Sequence, residues 1–165
     1  GFVGKPNAGK SSLLGRMTAA HPEVGSYPFT TKIPHLGVLS LDDSQLILAD
    51  IPGLIEGASE GAGLGFRFLK HISRTRSIAY IVDLSEPAPV ETVRMLEHEL
   101  LEYGAGLENR RRLIVGNKTD MPETGAGLDE LRSGFRDEPV LGVSALTGDG
   151  IRRLAGEFFL LGSGA

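Results

Sequence analysis

Apolar and polar positions along the chain fall into two alternating kinds of segment. Short stretches rich in β-branched residues are separated by longer stretches with a helical apolar stripe, and Gly or Pro stands at nearly every junction. That alternation predicts an α/β domain. Strands are expected at 2–3 (the end of a longer strand), 33–41, 44–49, 78–83, 112–116 and 140–143. Only Asp42 and Asp43 separate the second strand from the third, a hairpin-length link, so one of the six strands runs against the others. Helices are expected at 10–18, 66–75, 89–103, 127–135 and 151–160. In the third of these, Val90, Val93, Leu96, His98, Leu100 and Leu101 carry the inward stripe, while Glu91, Arg94, Glu97 and Glu102 face water. One stretch breaks the rhythm. Gly53, Gly57, Gly61, Gly63 and Gly65 crowd the region after the third strand, which favours a loop built to rearrange over a helix or strand.

Composition then narrows the class. The 165 residues, 41% hydrophobic and 23% charged, suffice for one domain with a buried core and not for two. Twenty-one acidic against seventeen basic side chains leave a net charge of −4, so any nucleic-acid contact would need a local basic patch. The absence of cysteine excludes a disulfide framework, a thiolate metal site and a Cys nucleophile, and fits a cytoplasmic location. Apolar runs such as 78–82 and 113–115 fall far short of the roughly 20 residues of a membrane span, and no membrane partner is expected. The chain opens on Gly1-Phe2-Val3-Gly4 without a charged-then-apolar leader, as expected of a piece of a longer protein.

Candidate chemistry begins at Gly4-Lys5-Pro6-Asn7-Ala8-Gly9-Lys10-Ser11, a G-x-x-x-x-G-K-[ST] loop between a strand end and a helix starting near Ser12. Its glycines let successive N–H groups converge on one centre, and the helix adds its positive end, which together make a polyphosphate cradle. Lys10 would reach the β- and γ-phosphate oxygens, and the Ser11 hydroxyl would ligate a bridging magnesium ion. This loop by itself does not choose between ATP and GTP. Asn117-Lys118-Thr119-Asp120 follows the strand ending at Gly116, where ligands of doubly wound sheets bind. The Asp120 carboxylate can accept two parallel hydrogen bonds from guanine, a donor pair that adenine lacks. Asn117 would tie this turn to the phosphate loop, the Lys118 stem would lie over the base, and the backbone of Ser144-Ala145-Leu146 can donate to the guanine carbonyl. Asp50-Ile51-Pro52-Gly53 ends the third strand, bringing Asp50 to the magnesium ion through water and the Gly53 N–H to a γ-phosphate oxygen. Upstream, Thr30 or Thr31 would complete the metal shell only when the γ-phosphate is present, an order–disorder switch. Leu54 stands where many such enzymes have a Gln that orients water, so slow hydrolysis is expected. Asn7 is a candidate for helping to hold potassium beside the phosphates, or else only braces the loop.

With these motifs in this order the chain resembles the translation-factor-like GTPase class. The runs Tyr27-Pro28-Phe29-Thr30-Thr31, Pro34-His35-Leu36-Gly37-Val38 and above all Asp50-Ile51-Pro52-Gly53-Leu54-Ile55-Glu56-Gly57-Ala58-Ser59-Glu60-Gly61-Ala62-Gly63-Leu64-Gly65 are similar to the Obg subfamily. The resemblance covers nearly the whole chain. It implies a Ras-like G domain of the P-loop NTPase fold, three α/β/α layers with a mostly parallel six-stranded sheet. It also implies nucleotide contacts from Gly4 to Ser12, from Phe29 through Thr30, Thr31, Lys32 and Ile33, from Asp50 to Gly53, at Asn117, Lys118, Thr119 and Asp120, and from Ser144 to Leu146. Magnesium would sit on Ser11 and Thr31 with Asp50 behind. Lys10 and Gly53 would act on the reacting phosphate. The family further implies a slow monomeric GTPase that matures the large ribosomal subunit, within a longer chain carrying a Gly-rich N-terminal domain and a C-terminal segment. Lys5 departs from the family, which has an apolar residue there, and reads as a solvated lysine. Arg67, Lys70, Arg74 and Arg76 read as a solvated helix face, Arg110, Arg111 and Arg112 as surface charge, and His71 as packing. Two other readings stay open: a GTP-dependent scaffold in which hydrolysis is incidental, and a P-loop kinase or ATPase.

Overall fold

A strand at the centre of a parallel sheet is covered on both faces and so reads as a continuous apolar run. Ser77–Asp83 and Arg111–Asn117 are such strands, buried along almost their whole length. The computed structural model describes residues 1–18, 23–24, 35–51, 73–104 and 106–162. Its elements are β1 (Phe2–Val3), α1 (Lys10–Met17), β2 (Glu23–Val24), β3 (His35–Leu41), β4 (Ser44–Asp50), β5 (Ser77–Asp83), α2 (Pro89–Tyr103), β6 (Arg111–Asn117), α3 (Thr124–Gly134), β7 (Val140–Gly142) and α4 (Ile151–Gly162), with a 3-10 turn at Leu107–Asn109. All six expected strands are present, and the two-residue β2 extends the sheet at its edge. The order is β2-β3-β4-β1-β5-β6-β7. β3 pairs antiparallel with both β2 and β4, while β1, β4, β5, β6 and β7 pair in parallel, so β3 alone runs against the rest.

Alternation along the strands splits the core into two layers. Ile78, Tyr80 and Val82 of β5 and Ile114 of β6 face Val90, Val93, Leu96 and Leu100 of α2 and Leu131 of α3. Ala79, Ile81, Leu113 and Val115 face the other way, onto Leu13, Leu14 and Met17 of α1 and Leu154 and Phe158 of α4. Three layers result, as expected. Phe158 lies against Phe2 with ring centroids 5.5 Å apart, which seats α4 under β1.

Helix ends follow local chemistry. Pro89 occupies the first turn of α2, where its missing N–H costs nothing, and Gly104 ends the helix at φ 79°. Within α2 the helical phase puts Val93, Leu96 and Leu100 inside but turns Leu101 a further step away, and it is 58% exposed. His98 is likewise exposed, in an i,i+4 pair with Glu102 at 3.4 Å, so neither belongs to the stripe the sequence predicts. α3 begins at Thr124, three residues before the expected start, because the Thr124 hydroxyl donates back to the Met121 carbonyl at 2.9 Å and closes the turn. Of the helix expected at 66–75, residues 73–75 are a turn rather than helix; 66–72 lie outside the described residues. Arg74 and Arg76 therefore do not share a helix face, though both are exposed.

The parallel strands end on one rim. From β1 the chain passes to α1 on one face, and from its neighbour β5 it passes to α2 on the other. Such a divergence opens a crevice at the carboxyl ends of the strands.

Candidate functional site

The loop after β1 is shaped by what its glycines exclude. A Cβ at Gly4 would stand 2.5 Å from the Ile81 carbonyl oxygen, and one at Gly9 would stand 2.1 Å from Asn117 Nδ2. Gly9, at φ 96°, is also the N-cap of α1 and offers no side chain to occupy the first-turn N–H groups. Asn7 holds φ 65°, so two left-handed residues curl the chain within three positions. Ala8 N–H donates to the Lys5 carbonyl at 3.2 Å, closing the curl. The Lys10 ammonium lies across the loop, donating to Gly4 O at 2.8 Å and Lys5 O at 3.1 Å. This is a concave set of N–H groups with one cation at its mouth, suited to a polyanion.

Beside it, β4 delivers Asp50. Ser11 donates its hydroxyl to Asp50 Oδ2 at 3.0 Å. Asp50 is 6% exposed, and its Oδ1 has no hydrogen-bond partner among the described residues. A buried carboxylate oxygen left unpaired beside a hydroxyl is a donor set for a hard cation. No group of three His, Cys, Asp or Glu among the described residues could enclose a metal unaided. A magnesium ion fits this arrangement because it takes only one or two protein ligands and completes its octahedron with water and phosphate oxygens. The remaining expected contacts, Phe29, Thr30, Thr31, Lys32, Ile33, Pro52 and Gly53, lie outside the described residues, as do Leu54, Arg67, Lys70 and His71. Ile51 is described: it is buried, and its N–H donates to Phe2 O at 3.0 Å, which holds the end of β4 against β1.

Three loops meet at Asn117, which ends β6 and is 1% exposed. Its Nδ2 donates to Ala8 O at 2.9 Å in the phosphate loop, and its Oδ1 accepts from Ala145 N at 3.1 Å in the loop after β7. The tie from Asn117 to the phosphate loop is thus present, together with a second tie that sequence reasoning missed. Lys118 stands at φ 72° and pairs through Nζ with Asp83 Oδ2. Thr119 N–H donates to Val143 O at 3.1 Å. Asp120 is exposed, and its Oδ1 accepts from the buried Ser144 hydroxyl. Ser144 Oγ in turn accepts Thr147 N–H at 3.0 Å, so the 144–149 turn and the Asp120 carboxylate hold each other. Leu146 is 77% exposed at the rim.

Other pairings also escaped the sequence. Lys5, expected to be solvated, pairs with Glu86 at 3.0 Å, and both stay partly exposed. Arg112, expected as surface charge, bridges Glu97 of α2 and Glu138 before β7. None of the three glutamates lies near its lysine or arginine in sequence, so only strand order could have paired them. Asp83 carried the one usable signal, a carboxylate at the carboxyl end of a parallel strand. Burial by itself would raise its carboxyl group, but hydrogen bonds from Lys118 and Ser85 outweigh that and hold it below the usual carboxylate range.

Comparison with known proteins agrees with this geometry. The 50S ribosome-binding GTPase family matches residues 1–118. The GTPase Obg of Borrelia turicatae (strain 91E135) is 46% identical over 161 residues, 98% of this chain and 49% of that protein. The GTPase Obg of Borreliella burgdorferi (strain ZS7) is 48% identical over the same length and coverage. The chain thus spans about half the length of the curated relatives it matches. The G domain of the T. maritima FeoB iron transporter superposes with a TM-score of 0.71, covering 98% of this chain and 96% of that one at 21% identity, a likeness of fold. Matched by the family over its first 118 residues and by Obg GTPases over nearly all of its length, the chain is a G domain that belongs to the 50S ribosome-binding GTPase family.

Proposed function

We propose that this domain binds GTP with magnesium and hydrolyses it slowly to GDP and phosphate, as the switch of a longer protein that acts on the large ribosomal subunit. The observation that carries the reading is the Asn117 side chain, which joins the phosphate loop to both loops suited to a purine. In this reading the N–H groups from Gly4 to Ser12 hold the phosphates, and Lys10 leaves its carbonyl partners to offset charge on the β- and γ-oxygens. Asp120 reads the guanine edge, Lys118 covers the base, Thr119 and Val143 fix the turn, and the Ser144–Leu146 backbone meets the guanine carbonyl. Phe29 to Ile33 and Asp50 to Gly53 would contact the nucleotide, the Gly53 N–H at a γ-phosphate oxygen. Ser11, Thr31 and Asp50 would hold a magnesium ion, which would supply neutralisation of phosphate charge when bound. Leu54 offers water no hydrogen bond, so the intrinsic rate is low and a partner or a potassium ion near Asn7 completes the site. The same absence favours a scaffold as the second reading, with the GTP-bound form recruiting partners and hydrolysis incidental.

The family name supports a ribosomal partner for the full protein; a cytoplasmic monomer is part of the same proposal. Among the described residues no helix is long and apolar enough to cross a membrane. Titrating fluorescent GTP, GDP and ATP against the chain with and without magnesium tests the nucleotide: guanine nucleotides alone should bind, and equal ATP binding would return the kinase or ATPase reading. Single-turnover hydrolysis in potassium, in sodium and with large ribosomal subunits tests the rest. Acceleration by potassium or subunits supports a completed active site, and none by either supports the scaffold.

A further inference from the structure

The turn that leaves β5 touches both halves of the site, yet none of its residues has a part in the reading above. Asp83 accepts from Lys118 Nζ on Oδ2, and on Oδ1 from Ser85 N–H at 2.9 Å and the Ser85 hydroxyl. Its carboxylate is therefore gripped from both sides. The backbone under it is equally fixed: Leu84 N–H donates to Asn117 O at 3.1 Å and Glu86 N–H to Asp83 O at 3.2 Å. The Leu84 side chain fills the space over Gly116, where a Cβ would come within 2.9 Å of it. Lys118 itself stands in the left-handed region at φ 72°, a conformation non-glycine residues keep only where the surroundings over-determine it.

We infer that Asp83 is a positioning residue for the purine: by fixing the Lys118 ammonium it straightens the lysine stem into a rigid apolar strip against which the base lies. The inference rests on the guanine-nucleotide reading of the site. A free lysine carries rotamer entropy that a stem already tethered at both ends does not lose on binding. The neighbouring Lys5–Glu86 pair does not share this role. The two lysines are alike, 34% and 32% exposed, but the Glu86 side chain is 42% exposed against 9% for Asp83, and a carboxylate open to water holds its partner weakly. Asp83 is also held ionised, since its bonds from Lys118 and Ser85 more than offset its burial.

The test is a double-mutant cycle on the 165-residue chain, with fluorescent GDP as the probe and affinity and release rate as readouts. Asp83→Asn and Lys118→Met should each weaken binding on the order of tenfold, mainly through faster release, and the double variant should bind no worse than Lys118→Met alone. Ser85→Ala, which loosens only one carboxylate oxygen, should shift release in the same direction by less. If the two losses multiply in the double variant, Asp83 acts on the fold at large and the inference is overturned. An Asp83→Asn variant that binds like the parent overturns it alone, whereas a parent chain with no affinity for GDP removes the guanine-nucleotide reading and this inference with it.

Discussion

At the scale of single residues the site depends on close approach. Gly9 cannot be replaced without displacing the Asn117 amide, since a Cβ there would stand 2.1 Å from Nδ2 and the φ of 96° disfavours any side chain. Gly9→Ala is expected to abolish nucleotide binding and to lower stability by about 1–3 kcal/mol, read by titration and urea unfolding. Asp120→Asn is expected to move base preference from guanine to xanthine nucleotides, because the amide donates where the carboxylate accepted; competition with XDP measures it. Asp83 makes a pH prediction. Its carboxyl group is depressed in the folded state, so its stabilising contribution is present above the ordinary carboxylate pKa and is lost as pH falls through the folded value. Urea midpoints below about pH 4 should therefore fall less steeply in Asp83→Asn than in the parent. At this scale the G-x-x-x-x-G-K-[ST] loop and the Asn117 to Asp120 turn were legible because backbone chemistry demands those residue types in that order. The pairings of Asp83, Lys5 and Arg112 were not, because they join segments 35, 81 and 15 to 26 positions apart.

At the scale of elements, the periodicity located every strand except the two-residue β2 and every α-helix the structure describes, and erred at their ends. β5 and β6 were legible as uninterrupted apolar runs. α2 was legible too, but its stripe was drawn one residue too wide at Leu101 and at His98, which a strict 3.6-residue phase turns outward. The start of α3 depends on a side-chain hydrogen bond, Thr124 to Met121, that no apolar pattern encodes. Between β5 and α2 the sheet buries Tyr80, whose phenol is pushed up to about 12 by burial and by Glu97, with Arg112 opposing. A raised phenol pKa means stability is fully present below the unfolded value near 10 and is lost as pH rises toward about 12. The unfolding free energy of the parent should fall over that window by on the order of 2 kcal/mol, and Tyr80→Phe should remove that part of the fall. Arg112 stands at the opposite end of β6 from Asn117 and ties α2 to the segment before β7. Arg112→Met is expected to lower stability by about 1 kcal/mol, the partial exposure of the pair keeping the figure small, while leaving GDP affinity unchanged.

For the whole molecule, the order β2-β3-β4-β1-β5-β6-β7 explains why loops far apart in sequence share one crevice. Fold class was readable from the alternation of segments, and the crevice followed from the rule that chains diverge at a strand-order reversal. Apart from the tie of Asn117 to the phosphate loop, which side chains would face each other across it was not readable, because that depends on the register of Phe2 with Ala79 and of Asp83 with Asn117. Ligand linkage supplies the global test. GDP with magnesium at 100 times its Kd should raise unfolding free energy by about 2.7 kcal/mol, and chelating the metal should reduce that gain. The amide of Asn117 has a kinetic corollary at this scale. One planar group bonds the loop after β1 through Nδ2 and the loop after β7 through Oδ1, so movement of either loop away from β6 breaks one of its two hydrogen bonds. Loss of either bond should therefore speed nucleotide departure: in a chase with excess unlabelled GDP, Asn117→Ala, which removes both, should release the label faster than the parent.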